Sequence, residues 1–325
     1  MTDPFEAFSD LDEIADRLKS ADAGERRVAV IELGNSGDPG AVALLDRMLS
    51  DADAGVRRQT ALALGEFDGP ACAAALAKAV VDCDPSVASA ASDAMAELKD
   101  PAAADPLIPI ATHVSAFVRA ASLRALKGLR RKEALKPALS GLKDSDSSVR
   151  QQAVGVIGYL KLEEAVPALR AAAGDPDPAV RRAAVSALSF SGVDAALDTI
   201  TSGLDDENWM VREIAAEVLG SIDKQAVTAA KLAAALDDEF WQVRLKAARS
   251  LGRLKAQDAV ARIALSLKHP QANLRKEAAA ALGEIAHAAA VPFLDSAAED
   301  PDPEVRKNVR WALQQIASRG LSVGA

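Results

Sequence analysis

The chain has 325 residues, half of them hydrophobic but only 3% aromatic, with 26% charged residues and a formal net charge of −9. An alanine-rich, aromatic-poor composition suits close helix packing and lacks the material of a β-sandwich. The acidic balance argues against broad contact with a phosphate backbone, which needs clustered Lys and Arg, and no apolar run approaches the roughly 18 residues of a membrane-spanning helix.

In chain order, the N-terminal segment "MTDPFEAFSDLDEIADRL" is acidic and has no apolar core of a signal peptide, so a cytoplasmic protein is expected. From there one pattern recurs to the end. The segments "GVRRQTALALG" (55–65), "AVRRAAVSALS" (179–189), "MVREIAAEVLG" (210–220), "QVRLKAARSLG" (242–252), "NLRKEAAAALG" (273–283) and "EVRKNVRWALQ" (304–314) align on the residue before an arginine. The anchors are Glu25, Val56, Val87, Val118, Val149, Val180, Val211, Val243, Leu274 and Val305, each 31 residues after the last except Val243, which follows by 32. A fixed period of this length marks a repeat architecture.

Within each unit, apolar or small residues recur at the anchor and at +4, +7 and +8, for example Val180, Ala184, Ala187 and Leu188, which is one face of a helix. Six units carry Gly at +9, where tight packing or the helix ends. Asp84-Pro85, Asp177-Pro178 and Asp302-Pro303 place a capping Asp before a first-turn Pro. Second apolar segments lie between these helices, such as "AVALLDRML" (41–49), "AVPALRAAA" (165–173) and "AVARIALSL" (259–267). Each unit therefore reads as helix A, turn, helix B. Neither helix can bury its apolar face alone, so about ten units and twenty helices must stack into an α-solenoid, a right-handed superhelix, here expected as a single domain over 1–325 with repeats from about 8 to 318 and a short tail, 319–325. The terminal units should be atypical, because they meet water.

The pattern D-x-D-P-x-V-R-x-x-A-x-x-A-L-G resembles the HEAT repeat, and more closely its short bacterial form, the phycobilisome-lyase-type HEAT-like repeat. The resemblance covers nearly the whole chain and is specific for fold rather than function. It implies a ladder of turn Asp and helix-B Arg. The arginines are Arg26, Arg57, Arg119, Arg150, Arg181, Arg212, Arg244, Arg275 and Arg306, with Ala88 in the third unit. The aspartates, six residues earlier, are Asp51, Asp82, Asp144, Asp175, Asp206, Asp238 and Asp300, with His113 and His269 in two other slots. The most regular charges are thus read as structural.

Chemistry-bearing motifs are scarce. His113, His269 and His287 are far apart, and no His-Glu dipeptide supplies the ligands that HEAT-like hydroxylases use for iron, so no metal or other cofactor is expected. Cys72 and Cys83 have no metal or redox spacing and read as buried thiols. "GNSGDPG" (34–40) is glycine-rich but lies between helices and reads as a loop; there is no P-loop, dinucleotide turn or nucleophile elbow. No catalytic residue is expected.

The resemblance also implies that helices B line a concave surface. Positions −2, −1, +2, +3, +6 and +10 are then left free for a protein or peptide partner. Repeats one to three offer mostly small or charged residues in these slots. Later repeats offer Phe117, Tyr159, Arg182, Phe190, then Trp209, Met210, Glu213, Ile214 and Glu217, then Trp241, Leu245, Lys246, Arg249 and Arg253, and finally Trp311. All three Trp and the only Tyr fall here. Aromatics flanked by Arg and Met are typical of interface centres. The other reading is that Trp209 and Trp241 fold back over the turn. A non-enzymatic binding scaffold is the expected function, assisting assembly or maturation of a partner. The alternative is a cofactor-handling subunit like the E/F-type bilin lyases. A HEAT-like DNA glycosylase is disfavoured by the acidic balance.

Overall fold

The computed structural model describes residues 10–190, 193–222 and 225–322. Among them there are α-helices and short 3₁₀ turns and no strand. The helices fall into A/B pairs at the sequence period, and the chain packs as two compact units, Met1–Leu160 and Lys161–Ala325.

The first unit holds α1 (Asp10–Arg17) and α2 (Ala23–Asn35), α3 (Ala41–Met48) and α4 (Ala54–Leu64), α5 (Pro70–Ala79) and α6 (Pro85–Ala96), α7 (Ala104–Leu107) and α8 (Ala116–Leu129), α9 (Leu135–Gly141) and α10 (Ser147–Leu160). The second holds α11 (Val166–Ala172) and α12 (Pro178–Leu188), α13 (Val193–Ser202) and α14 (Trp209–Leu219), α15 (Gln225–Ala235) and α16 (Trp241–Arg253), α17 (Val260–Leu265) and α18 (Ala272–Ile285), α19 (Val291–Asp295) and α20 (Pro303–Ser322). Even-numbered helices are the B helices, and within each unit every B helix packs on the next.

Helix starts follow the capping rule. Asp53 accepts a hydrogen bond from Val56 N–H at 2.9 Å, Asp84 from Ser86 N–H at 2.8 Å and Asp177 from Ala179 N–H at 2.8 Å. Each satisfies a donor that the first turn leaves unpaired. The anchors from Val56 to Val305 are all buried, whereas Glu25 in the first repeat is exposed. In α14 the buried set is Val211, Ala215, Ala216, Val218 and Leu219; burying a Leu of this kind contributes about 2 kcal/mol.

The glycines at +9 allow close approach of neighbouring B helices. Gly34, Gly65, Gly220, Gly252 and Gly283 each face position +7 of the following B helix. A Cβ on Gly34 would lie 3.0 Å from Ala63 Cβ, on Gly220 2.7 Å from Ser250 Cα, on Gly252 2.8 Å from Ala281 Cα, and on Gly283 2.9 Å from Ala312 Cα. The helix ends at Gly220 but runs on past Gly34, Gly252 and Gly283, so packing is the common requirement.

The expected ladder is present and has a defined geometry. Arg275 Nε and Nη2 donate to Asp300 of the next repeat at 2.7 and 2.8 Å, while its Nη1 donates to the carbonyls of His269 and Pro270 in its own turn, both at 2.9 Å. Asp300 also accepts the Asp302 N–H at 2.9 Å. The same rung joins Arg26 to Asp51, Arg57 to Asp82, Arg119 to Asp144, Arg181 to Asp206 and Arg212 to Asp238. Bidentate Arg–carboxylate pairs are among the stronger polar contacts, and these are mostly shielded from water.

Two rungs differ. Ala88 supplies no guanidinium to His113, whose Nδ1 accepts the Ser115 N–H at 3.1 Å. At the other, Arg244 meets His269 instead of a carboxylate.

The thiols are not both buried as expected. Cys72 is inside α5, fully buried, and donates to the Leu64 carbonyl; Cys83 is exposed because it sits in the turn between α5 and α6, beside the ladder residue Asp82.

Candidate binding face of the B helices

In the second unit the sequence-selected residues occupy three kinds of environment. Phe190, Arg182, Met210, Arg253 and Trp311 are exposed. Phe190 follows the end of α12 and has Lys161 Nζ 4.9 Å from its ring centre, a cation–π contact within the unit.

Trp209 and Trp241 open α14 and α16 and are half-buried. The Trp209 ring stacks on Phe240, centroids 5.5 Å apart and 15° from parallel, and the Arg212 guanidinium lies 5.7 Å from the Phe240 centre. Trp209 thus braces the turn of the next repeat while keeping part of its surface open. Phe240 was not among the expected residues. Its signal was available, because it stands at an N-cap, where most other repeats carry Asp, Asn or Ser, and it makes no side-chain cap bond. An aromatic at a cap position gives up that bond for packing elsewhere.

The remaining slots, Glu213, Ile214, Glu217, Leu245, Lys246 and Arg249, are half-buried. Several of these charges are tied to a neighbouring helix. Lys246 Nζ lies 2.9 Å from Glu217, joining α16 to α14, and Arg249 donates to both carboxylate oxygens of Glu277 at 2.9 and 2.6 Å, joining α16 to α18. In both cases +6 of one repeat meets +3 of the next.

Trp311 lies across Gly283, where a Cβ would stand 2.7 Å from Trp311 Cε3. This leaves a groove of about 750 Å³ along the C-terminal ends of α16, α18 and α20, with Gly252 and Gly283 in its floor and Arg253, Glu284, Trp311 and Gln315 among its walls.

In the first unit, Phe117 and Tyr159 are exposed; Tyr159 is flanked by Lys127 Nζ at 5.6 Å and Arg130 at 5.5 Å from its ring centre. The early repeats are more apolar on this face than their sequence suggested. Val28 and Ile31 on α2 and Leu62 on α4 are exposed, at the +3 and +6 slots. Among the described residues no group of His, Cys, Asp and Glu is placed to hold a metal ion, and no helix is long and apolar enough to cross a membrane.

A family model of HEAT repeats matches residues 11–91, 135–220 and 228–314. The chain belongs to the HEAT-repeat family. The unmatched stretch between the first two matches holds repeat four, the HEAT unit whose turn carries His113 in place of Asp. Among solved structures, an engineered protein is 21% identical with a TM-score of 0.50 over 95% of this chain and 99% of that one. A chain of the complex in which Kap95p binding switches the loops of RanGDP is 16% identical with a TM-score of 0.62, over 94% of this chain and 51% of that one. The karyopherin Kap121p bound to the extreme C-terminus of the protein phosphatase Cdc14p is 14% identical with a TM-score of 0.61, over 94% and 41%. These likenesses show a HEAT solenoid fold, and this chain spans about half or less of the Kap95p- and Kap121p-type chains. No curated protein sequence matches this chain.

Proposed function

We propose that this HEAT-repeat chain is a non-enzymatic scaffold that holds an extended segment of a partner protein against the B helices of its second unit. The observation that carries the reading is the groove over Gly252 and Gly283. Trp311 and Ala286 give it an apolar patch over the close-packed glycines, and Arg253, Lys255, Glu284, Gln315, Ser318 and Arg319 supply polar anchors around it, a concave surface suited to a peptide. Arg253, Lys255 and Arg319 outnumber Glu284 around it, so an acidic segment fits best. Phe190, Met210 and the open edge of Trp209 extend the same kind of surface along repeats six and seven. Kap121p, a neighbour in fold, is bound to the extreme C-terminus of another protein, which supports a chain segment as the ligand here. The 31-residue period supports the short, phycobilisome-lyase-type form of the repeat, and an adaptor acting on a maturing partner in the cytoplasm is the role that suits it.

The test is affinity capture from the native cell with wild type and with Phe190→Ser/Met210→Ser/Arg253→Glu, three exposed changes that leave the core intact. Loss of the same partner from the variant supports the groove. Equal recovery refutes it. A visible absorption band in the purified protein would favour a cofactor-handling, lyase-like subunit instead.

A further inference from the structure

Among the described rungs, one joins its arginine to a histidine of the next repeat instead of a carboxylate. At the rung between repeats eight and nine, Arg244 Nη2 lies 2.9 Å from His269 Nε2, and Arg244 Nε is buried with no hydrogen-bond partner. In the neighbouring rung both of the corresponding nitrogens of Arg275 donate to Asp300.

The His269 ring is also asked for more than it can give. Its Nδ1 accepts the Gln271 N–H at 3.1 Å, as the ladder Asp does for its own turn. A neutral imidazole has a single acceptor nitrogen, so with Nδ1 engaged Nε2 carries the proton and faces a guanidinium donor. Protonating the ring removes the last acceptor. Burial, then Arg244 and Arg275, push His269 below its ordinary value, which favours the neutral ring. Two donors, the Arg244 guanidinium and His269 Nε2–H, therefore converge without an acceptor between them.

Arg244 and His269 line a pocket of about 410 Å³, whose walls also include Asp237, Arg262, Lys268, Leu236 and Leu265. Arg262 is paired with Asp237, while Leu265 is 68% exposed although large and apolar. The pocket thus has a cationic end with unmet donors and an aliphatic wall.

We propose that this pocket binds an oxyanion on an aliphatic stem, a peptide carboxylate in the first instance, which takes the place of the missing ladder Asp. Its oxygens accept from Arg244 Nε and Nη2 and from His269 Nε2–H, and Nδ1 keeps its bond to the turn. The site is separate from the groove proposed above, which lies at the opposite ends of these B helices, and it stands whether or not that groove binds a partner.

The experiment compares wild type with His269→Asp, which rebuilds the rung seen elsewhere. Thermal unfolding and calorimetric titration are run at fixed ionic strength with three probes: acetate, N-acetyl-aspartate amide and inorganic phosphate. In wild type, N-acetyl-aspartate amide binds saturably and raises the melting temperature by about 2 °C, a shift the size expected of a weakly bound ligand at tens of dissociation constants. His269→Asp melts higher than wild type without any anion and loses at least tenfold in affinity. Arg244→Met, with the apolar stem kept, also loses the response. A larger response to phosphate than to the aspartate derivative names free phosphate as the source and overturns the peptide carboxylate. No saturable binding to wild type, or an equal response from His269→Asp, overturns the site altogether.

Discussion

Removing one ladder carboxylate should uncouple two repeats by a measurable amount. Asp300→Ala deletes the acceptor of two charge-assisted bonds from Arg275, at 2.7 and 2.8 Å, and of the turn bond from Asp302 N–H at 2.9 Å. All three bonds are made to the ionised carboxylate, and a net hydrogen bond to a charged group contributes roughly 1.5 kcal/mol or more, so the deleted set amounts to about 4–5 kcal/mol. Arg275 keeps its bonds to the His269 and Pro270 carbonyls, and with 12% of its side chain exposed it regains some hydration. The expected loss is about 3 kcal/mol, at the low end of the range for breaking a shielded pair. Because each repeat touches only its neighbours, the loss falls on the contact of repeat nine with repeat ten, and the amides of α20 should lose protection first. Urea unfolding and hydrogen exchange together measure both quantities. Acid supplies a second check. The bond from Arg275, against burial and helped by Asp302 N–H, holds the Asp300 carboxyl below the usual carboxylate range. A depressed acid contributes its stability in full above its unfolded value and loses it as pH falls through the folded one. The gap between wild type and Asp300→Ala should be constant from about pH 5 to 8 and shrink below about pH 4. A gap under about 0.5 kcal/mol at neutral pH, or one that does not change in acid, refutes the ladder as a fastening.

Three further outcomes are expected. Gly220→Ala drives a methyl to 2.7 Å from Ser250 Cα and should cost about 1–3 kcal/mol by overpacking, partly relieved by Ser250→Ala; chemical denaturation of both variants decides it. Burial, with Asp68 nearby, pushes the Cys72 thiol up to about 12, so a disulfide reagent should titrate Cys83 rapidly and Cys72 only after unfolding. Trp209→Ala breaks the stack on Phe240 and should lower stability by about 1–3 kcal/mol without any partner present, whereas a purely external Trp would leave the melting curve unchanged.

Much of this architecture was legible before any coordinates. The 31-residue phase, the Asp caps and the Asp/Arg slots depend on neighbours in sequence or on a register that repeats, so they survive translation from letters to structure. The binding face was less legible, because its state depends on what the next repeat presents. Trp209 is half-covered since Phe240 replaces a capping residue in the following turn. Glu217 and Arg249 occupy slots that a single helix leaves open, yet each meets an opposite charge, Lys246 or Glu277, at +3 of the next repeat. That +6 to +3 relation is visible in the sequence once the register between B helices is known. Val28, Ile31 and Leu62 show the converse: apolar residues at the same slots that stay exposed.

The ladder gives the stack a direction. In the complete rungs each arginine closes on its own turn with one nitrogen and needs the following repeat for the other two. Each aspartate has its own turn N–H to hold it whether or not a preceding arginine exists. Cutting repeats from the front of a series therefore leaves a carboxylate still bonded at home. Cutting from the back leaves a guanidinium stripped of its main acceptor. During synthesis the same asymmetry holds in time: a repeat leaving the ribosome is complete in its core but not in its charges until the turn of its successor, some twenty-five residues behind it, has emerged and folded.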